Sequence, residues 1–409
     1  WRRSRAPRDP KAAAEPPHSI TIRAVLSHVA TRASLLGFSD IVKIRNRVLA
    51  MRARGQRVLQ LEGGEPFMHT PDFVKDAMKA AVDANHTRYA PSSGLPTLLD
   101  ALVAKLARKN MLTVTPEHLI VTAGGAHALF CAFQASVNPG DDVMFFAPYW
   151  TPIKDQVSFS GGNPVRVPWD DVRQRGDLRE LLESRLTPKT RVIYVNTPAN
   201  PTGDLLTREQ LQAVADFAIA HDLTVIADEA YEDLVYDGEH VSIASLPGML
   251  ERTISVYTFS KSFSMTGWRI GYLVAEKPFM EFIRKLVLNS VNGVSTPTQH
   301  AALAAVSADP AWFDPLREEY RRRRDLLVGA FNAAGFRCLT PPGAFYTFPD
   351  VRERLGDDSW KAMEALLDRT SIASVPGAVF GPEGEGHLRM SFSIAEETLA
   401  EAVEALRGL

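Results

Sequence analysis

Apolar positions recur along this chain with two periods, and the change from one to the other maps the fold. Ile41, Ile44, Val48 and Met51 fall at three- and four-residue steps and predict one helix from Val25 to Arg54, closed by Gly55. A short strand follows at Val58–Leu61, then a loop from Gly63 to Pro71 that is rich in glycine and proline. Thr70 and Pro71 are expected to cap a helix from Asp72 to Ala84. A further helix spans about Leu95 to Lys109, after R-Y-A-P-S-S-G, Arg88 to Gly94.

From His118 the texture changes to short apolar runs separated by helical segments. His118–Thr122, Val143–Phe146, Val165–Val167, Arg191–Val195, Leu223–Ala227 and Thr253–Tyr257 read as strands, and Ile270–Ala275 is another apolar run. Ala126–Val137 and Thr207–His221 read as helices between them. Strands joined by helices of this length make right-handed parallel crossovers. The predicted fold class is therefore α/β, a large domain with a mostly parallel seven-stranded sheet covered by helices on both faces. After Asn292 come a long charged helix, Pro315 to Ala333, and then short strands and helices. These belong with the N-terminal helix in a small α+β domain made from both chain ends. The expected division is a disordered leader at 1–24, small-domain segments at 25–63 and 293–409, and the large domain at 64–292.

Composition narrows the function by exclusion. A formal net charge of −2 argues against a nucleic-acid or membrane-surface role. No apolar run is long enough to span a membrane. Ten histidines fall nowhere at metal-ligand spacing, so no metal is expected. Cys131 and Cys338 both lie in apolar surroundings and read as buried structural thiols, which suits a reducing, cytoplasmic setting. Trp1 to Ser19, rich in arginine, proline and alanine, reads as a disordered extension. Asp9 and Glu15 count against an organellar transit segment.

Candidate chemistry gathers at strand ends. In a parallel sheet, ligands sit outside the carboxyl ends of the strands. V-I-Y-V-N-T-P-A-N-P-T-G supplies Asn200, T-V-I-A-D-E-A-Y supplies Asp228 and Tyr231, and T-I-S-V-Y-T-F-S-K supplies Lys261. Each alone has a plain explanation. Asn200 belongs to an ordinary turn, Asp228 can cap a helix, and a lysine at a strand end is usually solvated. On consecutive strands they converge as an amide, a carboxylate, a phenol and an amine. Lys261 is moreover crowded by Ser260, Ser262, Ser264 and Thr266 and flanked by apolar runs, which suits it to covalent bonding with an aldehyde.

The stretch S-K-S-F-S-M-T-G-W-R-I-G-Y, Ser260 to Tyr272, resembles the lysine segment of the class I aminotransferases, fold-type I pyridoxal-phosphate enzymes. With G-E-P, R-Y-A-P, the paired glycines, P-Y-W, N-P-T-G and D-E-x-Y, the resemblance runs from about Val25 to Leu409. It implies that Lys261 carries pyridoxal 5′-phosphate, that Asp228 keeps the ring nitrogen protonated, and that Tyr231 and Asn200 hydrogen-bond the ring's phenolic oxygen. Trp150 lies on the ring. The phosphate falls to the amides of Gly125 and Ala126 at a helix N-terminus, to Thr258, Ser260 and Arg269, and to Tyr89 of the opposite subunit of a homodimer.

Substrate binding is implied for Arg389, in H-L-R-M-S-F-S, through a bidentate fork to the α-carboxylate, and for Gly64, Trp150 and Asn200. Without the resemblance, Arg389 reads equally well as part of a surface strand facing water. The expected reaction is ping-pong transfer of an amino group from an L-amino acid to a 2-oxo acid, with Lys261 as the proton shuttle. A β-elimination lyase on the same scaffold is the alternative. Three departures bear on specificity. F-M-H-T-P stands where many relatives have an acidic D-F-D-T-P, Ala126 offers no polar side chain, and no second arginine is identifiable for a distal carboxylate.

Overall fold

The computed structural model describes residues 30–170 and 177–409. The 1–24 leader expectation lies outside them. Twelve strands are present among the described residues. They are β1 (Leu59–Gln60), β2 (Leu119–Thr122), β3 (Asp142–Ala147), β4 (Asn163–Pro168), β5 (Thr190–Asn196), β6 (Thr224–Asp228), β7 (Thr253–Thr258), β8 (Gly271–Val274), β9 (Tyr346–Thr347), β10 (Ile372–Ala373), β11 (Val375–Pro376) and β12 (Leu388–Ser391). Seven of them form the central sheet in the order β2-β8-β7-β6-β5-β3-β4. It is parallel except for β8, which runs antiparallel to both neighbours, β7 and β2.

The sheet is buried on both faces, and its side chains sort with the strand period of two. Val143, Phe145, Val192, Tyr194 and Ile226 enter one core with the helix Gly125–Ser136. Met144, Ile193, Val195, Val225 and Ala227 enter the opposite core with the helix Arg208–Ala220. A one-residue slip would exchange these two sets, so burial on both sides pins the register. That register brings Asn196, at the end of β5, beside Asp228, at the end of β6. It sets Asp228 in turn beside Val256 of β7.

A separate core joins the two ends of the chain. Ile44, Val48 and Leu61 pack with Phe331, Leu366, Phe392 and Leu406. β1 pairs in parallel with β10, matching Leu59 to Ile372. β12 lies between β11 and β9 in a small antiparallel sheet. The helix Thr296–Ser307 belongs elsewhere, because its Ala301, Ala302 and Ala305 pack with Leu98, Leu102 and Val121.

Three local expectations are corrected. The predicted helix over 25–54 is broken where it is described, into a 3-10 turn Thr31–Leu35 and an α-helix Asp40–Ala53. Gly37 lies in the break, and its N–H turns to Asp155 Oδ2 at 3.4 Å instead of continuing a helix. Thr70 caps nothing: its hydroxyl donates to the carbonyl of Ser264 at 2.7 Å and accepts from Trp268 Nε1 at 3.1 Å. The helix expected to end at Lys109 ends as α-helix at Lys105, and a π-turn, Leu106–Asn110, is closed by left-handed Met111.

Candidate active site

The parallel strands end at a cleft of about 420 Å³. Its floor is Asp228, the last residue of β6, where the apolar run T-V-I-A-D leaves the sheet. The carboxylate is buried, accepting from the Tyr194 hydroxyl at 2.7 Å and the Ala230 N–H at 3.2 Å. Burial pushes its pKa up to about 6, and neighbouring Glu229 adds to this. The Tyr194 and Ala230 hydrogen bonds and the charge of Lys261 act against the rise without cancelling it. A carboxylate so placed gains from a cation arriving over it.

Lys261 stands on the turn after β7, its Nζ donating to the carbonyl of Gly64 at 2.8 Å. The rings of Tyr231 and Phe345 lie 5.7 and 5.5 Å from that nitrogen. The neighbouring hydroxyls do not crowd the amine as the sequence suggests. Ser262 donates to Asp233, Ser260 accepts from Thr258 at 2.9 Å, and Ser264 Oγ is buried without a partner. The Tyr231 hydroxyl is buried and shares a 3.0 Å hydrogen bond with that of Tyr346.

At one end of the cleft the helix Gly125–Ser136 begins, its first amides free. Gly124, the residue before it, has φ +84, and a Cβ there would stand 2.8 Å from Arg269 Nη2. Glycine is required on both counts. Gly125 is close to Thr258, and Gly125, Ala126, Thr258, Ser260 and Arg269 all line this end. Arg269 is exposed on a left-handed residue, φ 54, and its guanidinium donates to the carbonyls of Thr266 at 2.8 Å and Ala123 at 3.4 Å. Amides, hydroxyls and a cation converging here make an anion cradle.

At the other end Arg389 projects from β12, the strand that runs between β9 and β11. It is buried, not facing water. Nη2 donates to the carbonyl of Glu62 at 2.7 Å and Nη1 to Asn200 Oδ1 at 3.2 Å, while Nε has no partner. The guanidinium lies 4.5 Å from the Tyr346 ring centroid and 5.0 Å from that of Phe380. Burial lowers its basicity. Gly64 lies against Tyr346, where a Cβ would meet the hydroxyl at 2.8 Å. Trp150 forms part of the wall.

Of the residues singled out from sequence, this cleft gathers all but one. Tyr89 is 90% exposed and lines a surface groove with Asn292 and Pro297, away from the cleft of its own chain. Four residues were missed: Tyr194, Tyr346, Asn196 and Arg45. Arg45 lines the outer rim, 3.8 Å from Glu65 and half-exposed, so a second arginine does face the cleft. The F-M-H-T-P loop does not line it, since Phe67 packs edge-on to Tyr320 and beneath Arg323. Cys131 and Cys338 are buried and unpaired, and burial pushes both thiols up to about 12. Glu229, Glu232 and His240 cluster one layer behind Asp228, but Lys105, Asn110 and Ser242 already serve the two carboxylates. Among the described residues no helix is long and apolar enough to cross a membrane.

A cleft at the carboxyl ends of a mostly parallel sheet, with an amine, a buried carboxylate and an anion cradle, defines a class, and the chain belongs to it: aminotransferase class I and II, matched over residues 56–406. It is an aminotransferase, and this family uses pyridoxal phosphate. The chain is 39% identical over 373 residues to the aspartate/prephenate aminotransferase of Thermus thermophilus, covering 90% of this chain and 94% of that protein. It is 36% identical over 353 residues to aromatic-amino-acid aminotransferase 2 of Thermococcus litoralis, covering 85% and 90%. The structure of Thermus thermophilus aspartate aminotransferase with maleate superposes with a TM-score of 0.87 at 37% identity, over 93% of this chain and 99% of that one. These relatives favour amino transfer over β-elimination.

Proposed function

We propose that this chain binds pyridoxal 5′-phosphate covalently at Lys261 and uses it to move an amino group from an L-amino acid to a 2-oxo acid. One observation carries the reading: Asp228 ends β6, Lys261 stands on the turn after the adjacent β7, and both line a single cleft of about 420 Å³. The donor set fits that group. Asp228, left with a raised pKa, is suited to pair with a protonated ring nitrogen. Tyr231 and Asn200 serve the phenolic oxygen, and Trp150 covers the ring. Gly125, Ala126, Thr258, Ser260 and Arg269 take the phosphate, joined by Tyr89 from the second subunit of a homodimer. When bound, the cofactor supplies an electron sink for the substrate's α-carbon.

The remaining work falls to the chain. Arg389, with Asn200 and Gly64, grips the substrate's α-carboxylate and so aims its Cα at Lys261. Lys261 Nζ takes a proton from that Cα and returns one on the reverse half-reaction. The apolar walls around Arg389 keep water from competing for the carboxylate. The substrate side chain points to the outer rim, where Arg45 and Glu65 meet. We also read 64–292 as the cofactor-binding domain, joined by the helix Thr296–Ser307, and 25–63 with the rest of 293–409 as the smaller one, supported by the separate core between the chain ends. A cytoplasmic setting completes the proposal.

Lys261→Ala is expected to abolish turnover and the bound cofactor's absorption at roughly 400–430 nm. Wild-type protein that stays colourless with added cofactor would overturn the reading.

A further inference from the structure

Behind the turn that carries Lys261 lies a second cavity, about 510 Å³, against about 420 Å³ for the cleft in front. The two share a wall. Thr258 lines both, and Ser262, next in sequence to Lys261, lines the rear one. Nothing in the aminotransferase reaction needs this space.

One side of the rear cavity is aromatic. Phe263 and Trp312 stack at 5.2 Å with their planes 23° apart, and Phe313 meets Trp312 edge-on at 5.5 Å. Such a wall offers flat apolar area to another ring. The other side is charged with both signs, Lys105, Arg108, Lys109 and Arg317 standing among Glu232, Asp233, Asp309 and Asp314. Lys109 is paired with Asp233, Arg317 with Asp314 at 2.7 Å, and Arg108 makes no hydrogen bond or ion pair among the described residues. Burial first, and then the charges of Lys105 and Arg317, bring the Lys109 ammonium down to about 8 against the opposing pull of Glu232.

We propose that the rear cavity binds a small aromatic monocarboxylate, its ring against Phe263 and Trp312 and its carboxylate on Arg108 and Lys109. A carboxylate would give Arg108 the ion pair it lacks among the described residues, which a neutral ring would not. A dianion such as a phosphate monoester would meet Asp233 and Glu232, which line the same cavity. The ligand needs one charge and one flat face, and its carboxylate would reach the lysine that also holds Asp233, the acceptor of the Ser262 hydroxyl.

The probe is 3-phenylpropionate, titrated by calorimetry into the cofactor-loaded enzyme, with Trp312 fluorescence followed in parallel. Saturable binding is expected in the wild type. Arg108→Ala should weaken it about threefold to fivefold, the worth of one ion pair at an exposed position, and Arg108→Lys should restore part of it. Arg108 is exposed and outside the reaction cleft, so turnover without the probe should be unchanged. The same probe bound at Arg389 in the front cleft would be indifferent to Arg108. Binding unchanged in Arg108→Ala, or no saturable binding in the wild type, overturns the proposal.

Discussion

The two ends of the cleft each present an arginine, and the two are held in opposite ways. Arg269 is exposed, fixed by its own left-handed backbone and by two carbonyl acceptors, and joined by helix amides. Arg389 is buried between aromatic rings, with one guanidinium nitrogen unpartnered and its basicity lowered. On the proposed reading, the first would keep a permanent anion in water-accessible surroundings, where many donors share the charge. The second waits in a dry slot with hydrogen-bonding capacity unspent, which suits an anion that comes and goes with each turnover. A desolvated charge interacts more strongly but costs more to leave unpaired. The difference therefore predicts unequal consequences of removing each.

The largest should follow Arg389→Ala. Truncating one partner of a buried charge pair costs about 2–5 kcal/mol, so kcat/KM for amino acids should fall ~30- to ~5,000-fold. Most of the loss should appear in KM, with cofactor affinity nearly unchanged. Arg389→Lys should not rescue it, because an ammonium cannot make the planar fork. Weakened cofactor retention with an unaltered KM would reverse the assignment of the two ends.

Between the ends lies Asp228, and its buried state makes a prediction about pH. Its folded-state pKa, about 6, stands above the ordinary value for an unfolded chain, about 4. The protonated form is thus the one that folding favours. The stability this contributes is fully present below pH ~4 and is lost as pH rises through ~6, by up to ~3 kcal/mol in the cofactor-free protein. Denaturant melts of wild type and Asp228→Asn across that window should differ in slope by this amount. Loading the cofactor should remove the difference, since a cation over the carboxylate restores its ordinary acidity. Parallel slopes in the cofactor-free proteins would mean that Asp228 is better solvated than its surroundings indicate.

Arg269→Ala should cost less than Arg389→Ala, because amides and hydroxyls share the anion. Cofactor affinity should drop ~10- to 100-fold, the contribution of a hydrogen bond to a charged group. Turnover at saturating cofactor should stay within several-fold of wild type, and added salt should weaken binding further at this exposed end. A collapse of kcat despite saturation would show that Arg269 orients the reacting atoms as well.

How far this site was legible in the sequence follows from where each residue stands. Asn200, Asp228 and Lys261 interrupt apolar runs at strand ends, and an alternating pattern marks such points directly. Tyr194 sits inside β5, in V-I-Y-V-N, and reads as core. Only the β5–β6 register, pairing Tyr194 with Ile226, brings its hydroxyl to Asp228. Tyr346 lies on a two-residue strand with no periodicity to read, and its place beside Tyr231 depends on contacts 115 residues apart. The helix over 25–54 failed at Gly37 because the apolar spacing resumes beyond it, and spacing alone gives a break no weight.

Arg45 is the hardest case, and it carries the smallest prediction. The helix Asp40–Ala53 has Lys43, Arg45, Arg47 and Arg52 on it, and no local signal separates the one that faces the cleft from those that face water. Docking decides it: Ile44 and Val48 go into the core between the chain ends, which turns Arg45 toward Glu65 at the rim. The pair is long, 3.8 Å, and both partners are about half-exposed, so it contributes little by itself. An acidic substrate side chain could replace Glu65 as the partner of Arg45, and that exchange is worth ~1 kcal/mol or less at an exposed position. Arg45→Ala should therefore lower kcat/KM about threefold to fivefold for aspartate or glutamate and leave alanine and phenylalanine unaffected. An equal loss for all four would make Arg45 a brace for the helix. No loss for any would mean that Arg45 does not read the substrate side chain.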